Sequence, residues 1–468
     1  MGWLPTLLTL NVVQTLILSQ CILAMPFDDS QAILQATPNL ARPGLPVANS
    51  TRSFWIDTPG ANPLALEGSV GDLTRDADVC IVGAGITGVS AAYHLAKHFG
   101  SREDAPAVKA RHGEDEAKRT YAIEHYTTSE LVKIIKDNKL EDIVDLVAST
   151  HVGLLMTESA VQAATADFLA AQAAGVDLRK VDWLSEGEVN ATYGTRDPAW
   201  THPGHNLWPL KLVTELYHLA RKYNPAQFHL TLHTNTPVTA ISNSSSADRR
   251  WSLATPRGDV QCSYVIHATN AYAGYLLPHM HGPAGIVPTR GQVIALRASV
   301  PAANITTASW GANKGFEYWF PRPADASEEP LIILGGGRDT SGPGLETYVT
   351  DDSVVRKEVG ETLRKFLPAA FPGKYEEGRE PEMEWTGIMG YTKLEAPFVG
   401  PVLAPAESRM KSTEFEGQYI AAGYTGHGMP RAFACAEVVA GMVAAEITGS
   451  EWHTPEWLPR HFLTNQRP

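Results

Sequence analysis

The chain has 468 residues, 44 % hydrophobic and 19 % charged, which excludes a disordered chain and a polytopic membrane protein and suits two or three domains of roughly 100–200 residues. A total of 38 Lys plus Arg against 51 Asp plus Glu gives a net charge of −13, so the surface field repels phosphate backbones and no nucleic-acid partner is expected. Four Cys exclude a disulfide scaffold, and none has the Cys-x-x-Cys spacing of a zinc or thiol-redox site.

From Leu4 to Ala24 no residue is charged, and Leu, Ile and Val predominate. Residues 1–24 therefore read as a signal peptide with Ala24 at the cleavage point, and the product as secreted. No Lys or Arg precedes the run, and about 20 apolar residues can just span a bilayer, so an uncleaved anchor with membrane contact and an intracellular start stay open. Sequons at Asn49, Asn190, Asn243 and Asn304 fit a glycosylated secretory product. Residues 25–75, rich in Pro, Gly, Ala, Ser and Thr without periodicity, read as an arm laid over the surface or partly disordered.

Asp78–Val82 is a short apolar run that fits a buried parallel strand, and it passes into Gly83-Ala84-Gly85-Ile86-Thr87-Gly88. Val89–Ala96 then starts a helix with small residues where helix must press on sheet. The three glycines answer three needs: a tight turn, a bare backbone against a pyrophosphate, and close helix–strand contact. The pyrophosphate rests on the free N–H groups and positive dipole of the helix N-terminus.

A second strand ending in Asp or Glu should follow about 20 residues on, to hold a ribose. Instead residues 101–119 are strongly charged. The only strand-like fragment, Ala107–Arg111, carries Lys109 where an acid is wanted, and Glu103, Asp104 and Glu114 read as solvated loop charges. From Arg119 the chain is helical, with Leu131, Ile134, Ile135 and Leu140 making an apolar stripe.

Trp208–Tyr217 starts a helix with Pro209 in its first turn, while Phe228–His233 and Thr236–Ile241 alternate as strands. A hairpin, Trp251–Thr255 with Val260–Cys262 around Pro256–Asp259, feeds the buried strand Tyr264–Thr269, which ends at Asn270-Ala271-Tyr272. That succession resembles the second dinucleotide-contact region of FAD enzymes of the D-amino-acid oxidase, glycine oxidase and sarcosine oxidase family. Three later segments carry the same resemblance. Pro288–Gln292 resembles the entry into that family's substrate-domain sheet, followed by strands Val293–Leu296, Phe316–Phe320 and Leu331–Leu334. Trp385–Gly390 with Pro397–Pro401 resembles the return to the FAD domain. Tyr419–Pro430, with Gly423, Gly426, His427, Gly428 and Met429, reads as strand, Gly-rich turn and helix start, continuing through Ala432–Ile447. A helix N-terminus there suits negative charge on a flavin's pyrimidine edge.

The ordered motifs run from Asp78 to about Trp457 and are most similar to fungal FAD-dependent oxidoreductases of the family. The resemblance implies an α/β fold: a Rossmann-like FAD-binding domain (76–118, 204–285 and 375–468) interleaved with a mixed antiparallel-sheet substrate domain (119–203 and 286–374). It implies FAD contacts at Gly83, Ala84, Gly85, Ile86, Thr87, Gly88, Val238, Ala268, Thr269, Asn270, Gly423, Gly426, His427, Gly428 and Met429. The implied reaction moves hydride from the α-carbon of an amine or amino acid to the flavin, hydrolyses the imine, and reduces molecular oxygen to peroxide. A substrate carboxylate then calls for an Arg or Tyr hydroxyls. Arg338, at the end of the Leu331–Gly337 run, and Tyr318, sharing a strand face with Phe316 and Phe320, are the candidates, against plainer readings as a surface ion-pair partner and a core residue. His427, between two glycines, can approach the flavin or serve the turn alone. Arg290 reads as a domain-interface or cofactor-side residue. His202 with His205 and His279 with His281 lack carboxylate or Cys partners, so no metal site is expected. Cys80, Cys262 and Cys435 read as small core residues.

Between Gly100 and Arg119 the family's second strand, its acidic tip and the next Gly-rich loop have no counterpart. That departure keeps open a truncated, flavin-deficient and inactive member. A tailoring oxidase on a secondary-metabolite amine is another alternative, and an NAD-dependent dehydrogenase is opposed by the flavin-type C-terminal turn.

Overall fold

The computed structural model describes residues 42–100, 116–223, 228–405 and 413–467. The signal-like run 1–24 and the charged stretch containing Glu103, Asp104, Ala107–Arg111 and Glu114 lie outside the described residues. The apolar run forms strand β1 (Asp76–Val82), and the Ala-rich run after the glycines forms helix α1 (Ile86–Gly100). Ala91 and Leu95 of α1 face the sheet, while Val89, Tyr93 and Ala96 face neighbouring helices. Helix α2 (Glu116–Asp137) carries the expected stripe, with Leu131, Ile134 and Ile135 closed onto α1.

Next come β2 (Val147–Leu154), α3 (Glu158–Ala173), β3 (Asp182–Leu184), α4 (Glu186–Tyr193) and β4 (Ala199–Asn206). Helix α4 begins on a capping box between Ser185 and Glu188 and stops at Gly194, whose φ of 80° suits glycine. Helix α5 (Pro209–Lys222) has Pro209 at its first position, as expected. Two expected strands are corrected. Phe228–His233 is irregular: Phe228, Leu230 and Leu232 turn onto the helix cluster, and His233 reaches back to the Gly68 carbonyl (3.1 Å) and Thr74 Oγ1 (2.9 Å) of the arm. Thr236–Ile241 gives way to the shorter β5 (Ala240–Asn243), since Pro237 has no N–H to offer a sheet.

The hairpin of β6 (Trp251–Ala254) and β7 (Val260–His267) forms as predicted, and β7 pairs in parallel with β1, Val82 opposite His267. The chain continues through β8 (Val287–Arg297), β9 (Ser309–Ala312), β10 (Glu317–Pro321), β11 (Leu331–Gly336), α6 (Lys357–Ala370), β12 (Met383–Tyr391), β13 (Phe398–Pro401), β14 (Gln418–Ala422) and α7 (Gly428–Thr448). Two sheets result, in the expected α/β arrangement. The cofactor-type sheet runs β13-β14-β7-β6-β5 with β1 on β7, and the second runs β12-β8-β11-β10-β9-β2-β4-β3. The second is antiparallel except where β2 meets β9.

Packing moves two segments across the expected division. The stripe of α2 closes on α1 and α5 of the cofactor domain, although 119–203 was expected in the other. Strand β12 pairs along its length with β8, from Met383 opposite Ala295 to Tyr391 opposite Val287, so it belongs to the second sheet rather than to 375–468 of the cofactor domain. Helix α6 covers one face of that sheet, placing Val359, Leu363 and Leu367 against Ile294, Leu296, Ile332 and Leu334. Alternation puts Tyr318, Gly335, Trp385 and Tyr391 together on the opposite face.

Candidate functional site: a dinucleotide cradle and a buried arginine

The turn after β1 divides its work among the three glycines as their chemistry requires. Gly83 has φ 110°, and a Cβ there would lie 2.6 Å from the Ala268 carbonyl oxygen. A Cβ at Gly88 would lie 1.8 Å from the Gly83 carbonyl oxygen, so α1 can start this close to the strand only without a side chain. At Gly85 a Cβ meets nothing within 4 Å, and Gly83, Ala84 and Gly85 are exposed. The bare backbone thus faces open space at the N-terminus of α1, as an approaching pyrophosphate needs.

Two further turns meet this one. Ala268, Thr269 and Asn270 follow β7, and the Thr269 hydroxyl oxygen is buried without a partner. Asn270, at φ 44°, accepts a hydrogen bond on Oδ1 from the Gly423 N–H at 2.9 Å. Gly423, Thr425 and Gly426 all have left-handed φ, which folds the chain back before α7 starts at Gly428, where a Cβ again meets nothing. Thr87 of α1 shares a 3.0 Å hydrogen bond with the Tyr424 hydroxyl, and the Thr425 N–H donates to the Gly390 carbonyl at 2.8 Å. Thus the expected cofactor residues of all three turns come together. Ile86, Val238 and Met429 are half-buried in the adjoining apolar clusters. The open glycines, the orphaned Thr269 hydroxyl and the two helix N-termini fit a dinucleotide such as FAD. Beyond β7, strand β1 has no second partner among the described residues, and its Val79, Cys80 and Ile81 are only half-buried.

His427 precedes α7 and is 5 % exposed. Its Nδ1 lies 3.1 Å from Glu124 Oε1, which also accepts from Arg431 Nε at 2.8 Å. Burial, reinforced by Arg431, holds His427 below its ordinary pKa, so the ring is neutral. A carboxylate only accepts, so the proton sits on Nδ1 and Nε2 carries the lone pair. Glu124 did not figure among the expected site residues. The signal was present: it continues the stripe of α2 one heptad before Leu131, on the buried face.

Above this cradle, Gly336 and Gly337 (φ 139° and 66°) turn the chain out of β11 and place Arg338 at 3 % exposure. Its guanidinium lies 5.0 Å from the Tyr391 ring and 5.9 Å from that of Phe316, and Nη2 donates to the Tyr391 hydroxyl at 3.1 Å. Nη1 is buried without a partner, and among the described residues Arg338 makes no ion pair, so the surface-acid reading fails. The Tyr318 ring lies across Gly335, where a Cβ would come within 2.3 Å of its Cζ and hydroxyl oxygen. Phe320 shares its strand face, but Phe316 does not: it precedes β10 in a helical turn and packs on Leu345. Arg290 is held on the opposite face by Glu346 (Nε to Oε2, 2.7 Å), apart from these groups.

Glu317, beside Tyr318, is 2 % exposed and accepts from Asn313 Nδ2 at 2.6 Å, and burial pushes its pKa up to about 7 from an ordinary 4.5. Between those values the native state binds more protons than the unfolded chain, so stability falls as pH rises from about 5 to 8, by roughly 3 kcal/mol for this group. Glu317→Gln should flatten that loss, read as urea midpoints at the two pH values. Glu124→Ala strands the buried Arg431 guanidinium and should cost about 3–5 kcal/mol in the same measurement, with Glu124→Gln intermediate.

Residues 78–442 match the DAO family, described as FAD dependent oxidoreductase. Among curated proteins, the glycine oxidase of Pseudomonas aeruginosa is 24 % identical over 216 residues, 46 % of this chain and 50 % of that protein. The match thus spans about half the length of that relative. The crystal structure of glycine oxidase from Geobacillus kaustophilus aligns with TM-score 0.59 at 20 % identity, covering 82 % of this chain and 97 % of that one. L-amino acid deaminase from Proteus myxofaciens, in complex with anthranilate, gives 0.60 at 15 %, covering 91 % and 99 %. These likenesses establish the shared fold. Together with the match over residues 78–442, they place the chain in the DAO family of FAD-dependent oxidoreductases.

Proposed function

We propose that the protein oxidises the carbon–nitrogen bond of a small amino acid, or of an amine bearing a carboxylate. The observation that carries this reading is Arg338: a buried guanidinium with an orphaned nitrogen and no acidic partner among the described residues. A buried cation without a counter-charge is costly, and a substrate carboxylate supplies the missing partner in bidentate form. Tyr391 fixes the guanidinium from one side, and Tyr318 lies on the same sheet face. The match to glycine oxidase, and the likeness to proteins described as amino-acid deaminases, support a substrate of that class.

Gly83–Gly88, Ala268–Asn270 and Gly423–Met429 would hold FAD, which when bound takes up the hydride from the substrate's α-carbon. His427 offers its neutral Nε2 as acceptor for a proton leaving the substrate's ammonium group, and Glu124 keeps that nitrogen unprotonated by holding the ring proton on Nδ1. Water hydrolyses the released imine, and molecular oxygen is the terminal electron acceptor.

The visible absorption of purified protein, with oxygen uptake across a panel of amino acids and amines, tests the reading; absence of flavin after reconstitution would sink it. Gly85→Val fills only open space, so it should keep the thermal midpoint while losing FAD at least tenfold in affinity. Arg338→Met should retain the flavin spectrum but raise KM for carboxylate-bearing substrates by 100-fold or more, on the basis of about 3 kcal/mol for two charge-assisted hydrogen bonds.

A further inference from the structure

The arm before β1 is not simply laid over the surface. Thr51 N donates to the Asp352 carbonyl at 2.8 Å, and Thr51 Oγ1 accepts from the Thr386 N–H of β12 at 2.8 Å. Ser53 then caps a single helical turn, Phe54–Asp57. Phe54 and Trp55 pack with Val293, Ile333, Trp385 and Phe320 of the second sheet, on the face that carries Tyr318 and Tyr391. Trp55 stacks on Phe320 with ring centroids 6.0 Å apart, and Phe54 stacks on Trp208 at 4.8 Å. Trp208, at the start of α5 in the cofactor domain, donates from Nε1 to the Trp55 carbonyl at 3.1 Å. Arg322, paired with Asp145, lies over both Trp rings at 5.3 and 5.0 Å. Both domains therefore grip this turn. It lies before residue 78, where the match to the family model begins.

Strand register sets its distance from Arg338. Tyr318 stands opposite Gly335 and Phe320 opposite Ile333. At roughly 3.3 Å per residue, the Ile333 row lies about 10 Å along β11 from Gly336, where the chain turns to Arg338, with the Tyr318 row between. We infer that Phe54 and Trp55 determine substrate length: they wall the outer end of this face, opposite the guanidinium. A ligand whose carboxylate meets Arg338 extends an apolar chain past Tyr318, along Val293 and Trp385, until it reaches Trp55. The substrate class is an amino acid with an apolar side chain of bounded length. This rests on the Arg338 reading above.

The test uses flavin-loaded protein and unreactive straight-chain carboxylates from acetate to octanoate, titrated by their perturbation of the visible flavin spectrum. In the parent protein each added methylene should tighten binding about threefold to fourfold until the wall is met, and then no further. Trp55→Ala should leave acetate unchanged and bind octanoate at least tenfold tighter than the parent. An identical chain-length profile in a folded Trp55→Ala protein overturns the inference. Thermal unfolding reports the fold; if Trp55→Ala does not fold, Trp55→Leu carries the same comparison with an expected shift of about threefold. Carboxylates that bind neither form overturn the Arg338 reading, and the wall with it.

Discussion

The contact between Gly83 and the Ala268 carbonyl oxygen, where a Cβ would approach to 2.6 Å, is the constraint on which the cofactor cradle rests. It exists because β1 and β7 pair in parallel, Val82 beside His267, so that both strands deliver their turns to one edge of the sheet. Once the two turns touch, Asn270 can reach the Gly423 N–H and so set the third turn at the start of α7. Thr425 in turn fastens that region to the Gly390 carbonyl of β12, the strand that leads to Tyr391 and thus to Arg338. The cofactor cradle and the sheet face that carries Arg338 are therefore joined through a chain of backbone and side-chain hydrogen bonds.

Buried charge is used in two ways in the molecule. Arg290 with Glu346, and Arg431 with Glu124, are closed pairs that answer their own desolvation cost. Arg338 is buried as deeply, yet it is satisfied by a phenol and two aromatic faces and keeps one nitrogen unspent. Among the described residues, Arg338 thus differs from those two arginines in having no carboxylate partner. His427, held neutral by burial beside Arg431, belongs to the closed group on its Nδ1 side only.

The parts that were legible in the sequence are those whose chemistry is local. The glycine fingerprint, the β6–β7 hairpin, the Pro209 helix start and the apolar stripe of α2 each follow from a few consecutive side chains, and each forms as read. The parts that were not legible depend on partners far along the chain. Phe228–His233 alternates like a strand, yet it lies beside the arm and the helices, and alternation cannot distinguish a sheet face from a helix cluster. Strand β12 resembles a return to the cofactor domain because its end touches that domain, while its register belongs to β8. Glu124 was not legible because its partners, His427 and Arg431, lie 303 and 307 residues further along the chain. The turn at Phe54 has no periodicity at all; its anchors are Trp208 and the second sheet.

The pair between Glu124 and Arg431 joins residues 307 positions apart. Its closure therefore belongs to the slow, non-local part of folding, where loop entropy opposes each contact until the final one is made. Helix α7 also follows β1, its glycine turn and the β6–β7 hairpin in the chain, so those elements are synthesised before the helix that orients His427. A chain without α7 would accordingly carry the glycine fingerprint of β1 while lacking the third turn that Asn270 fastens and the helix start beside His427.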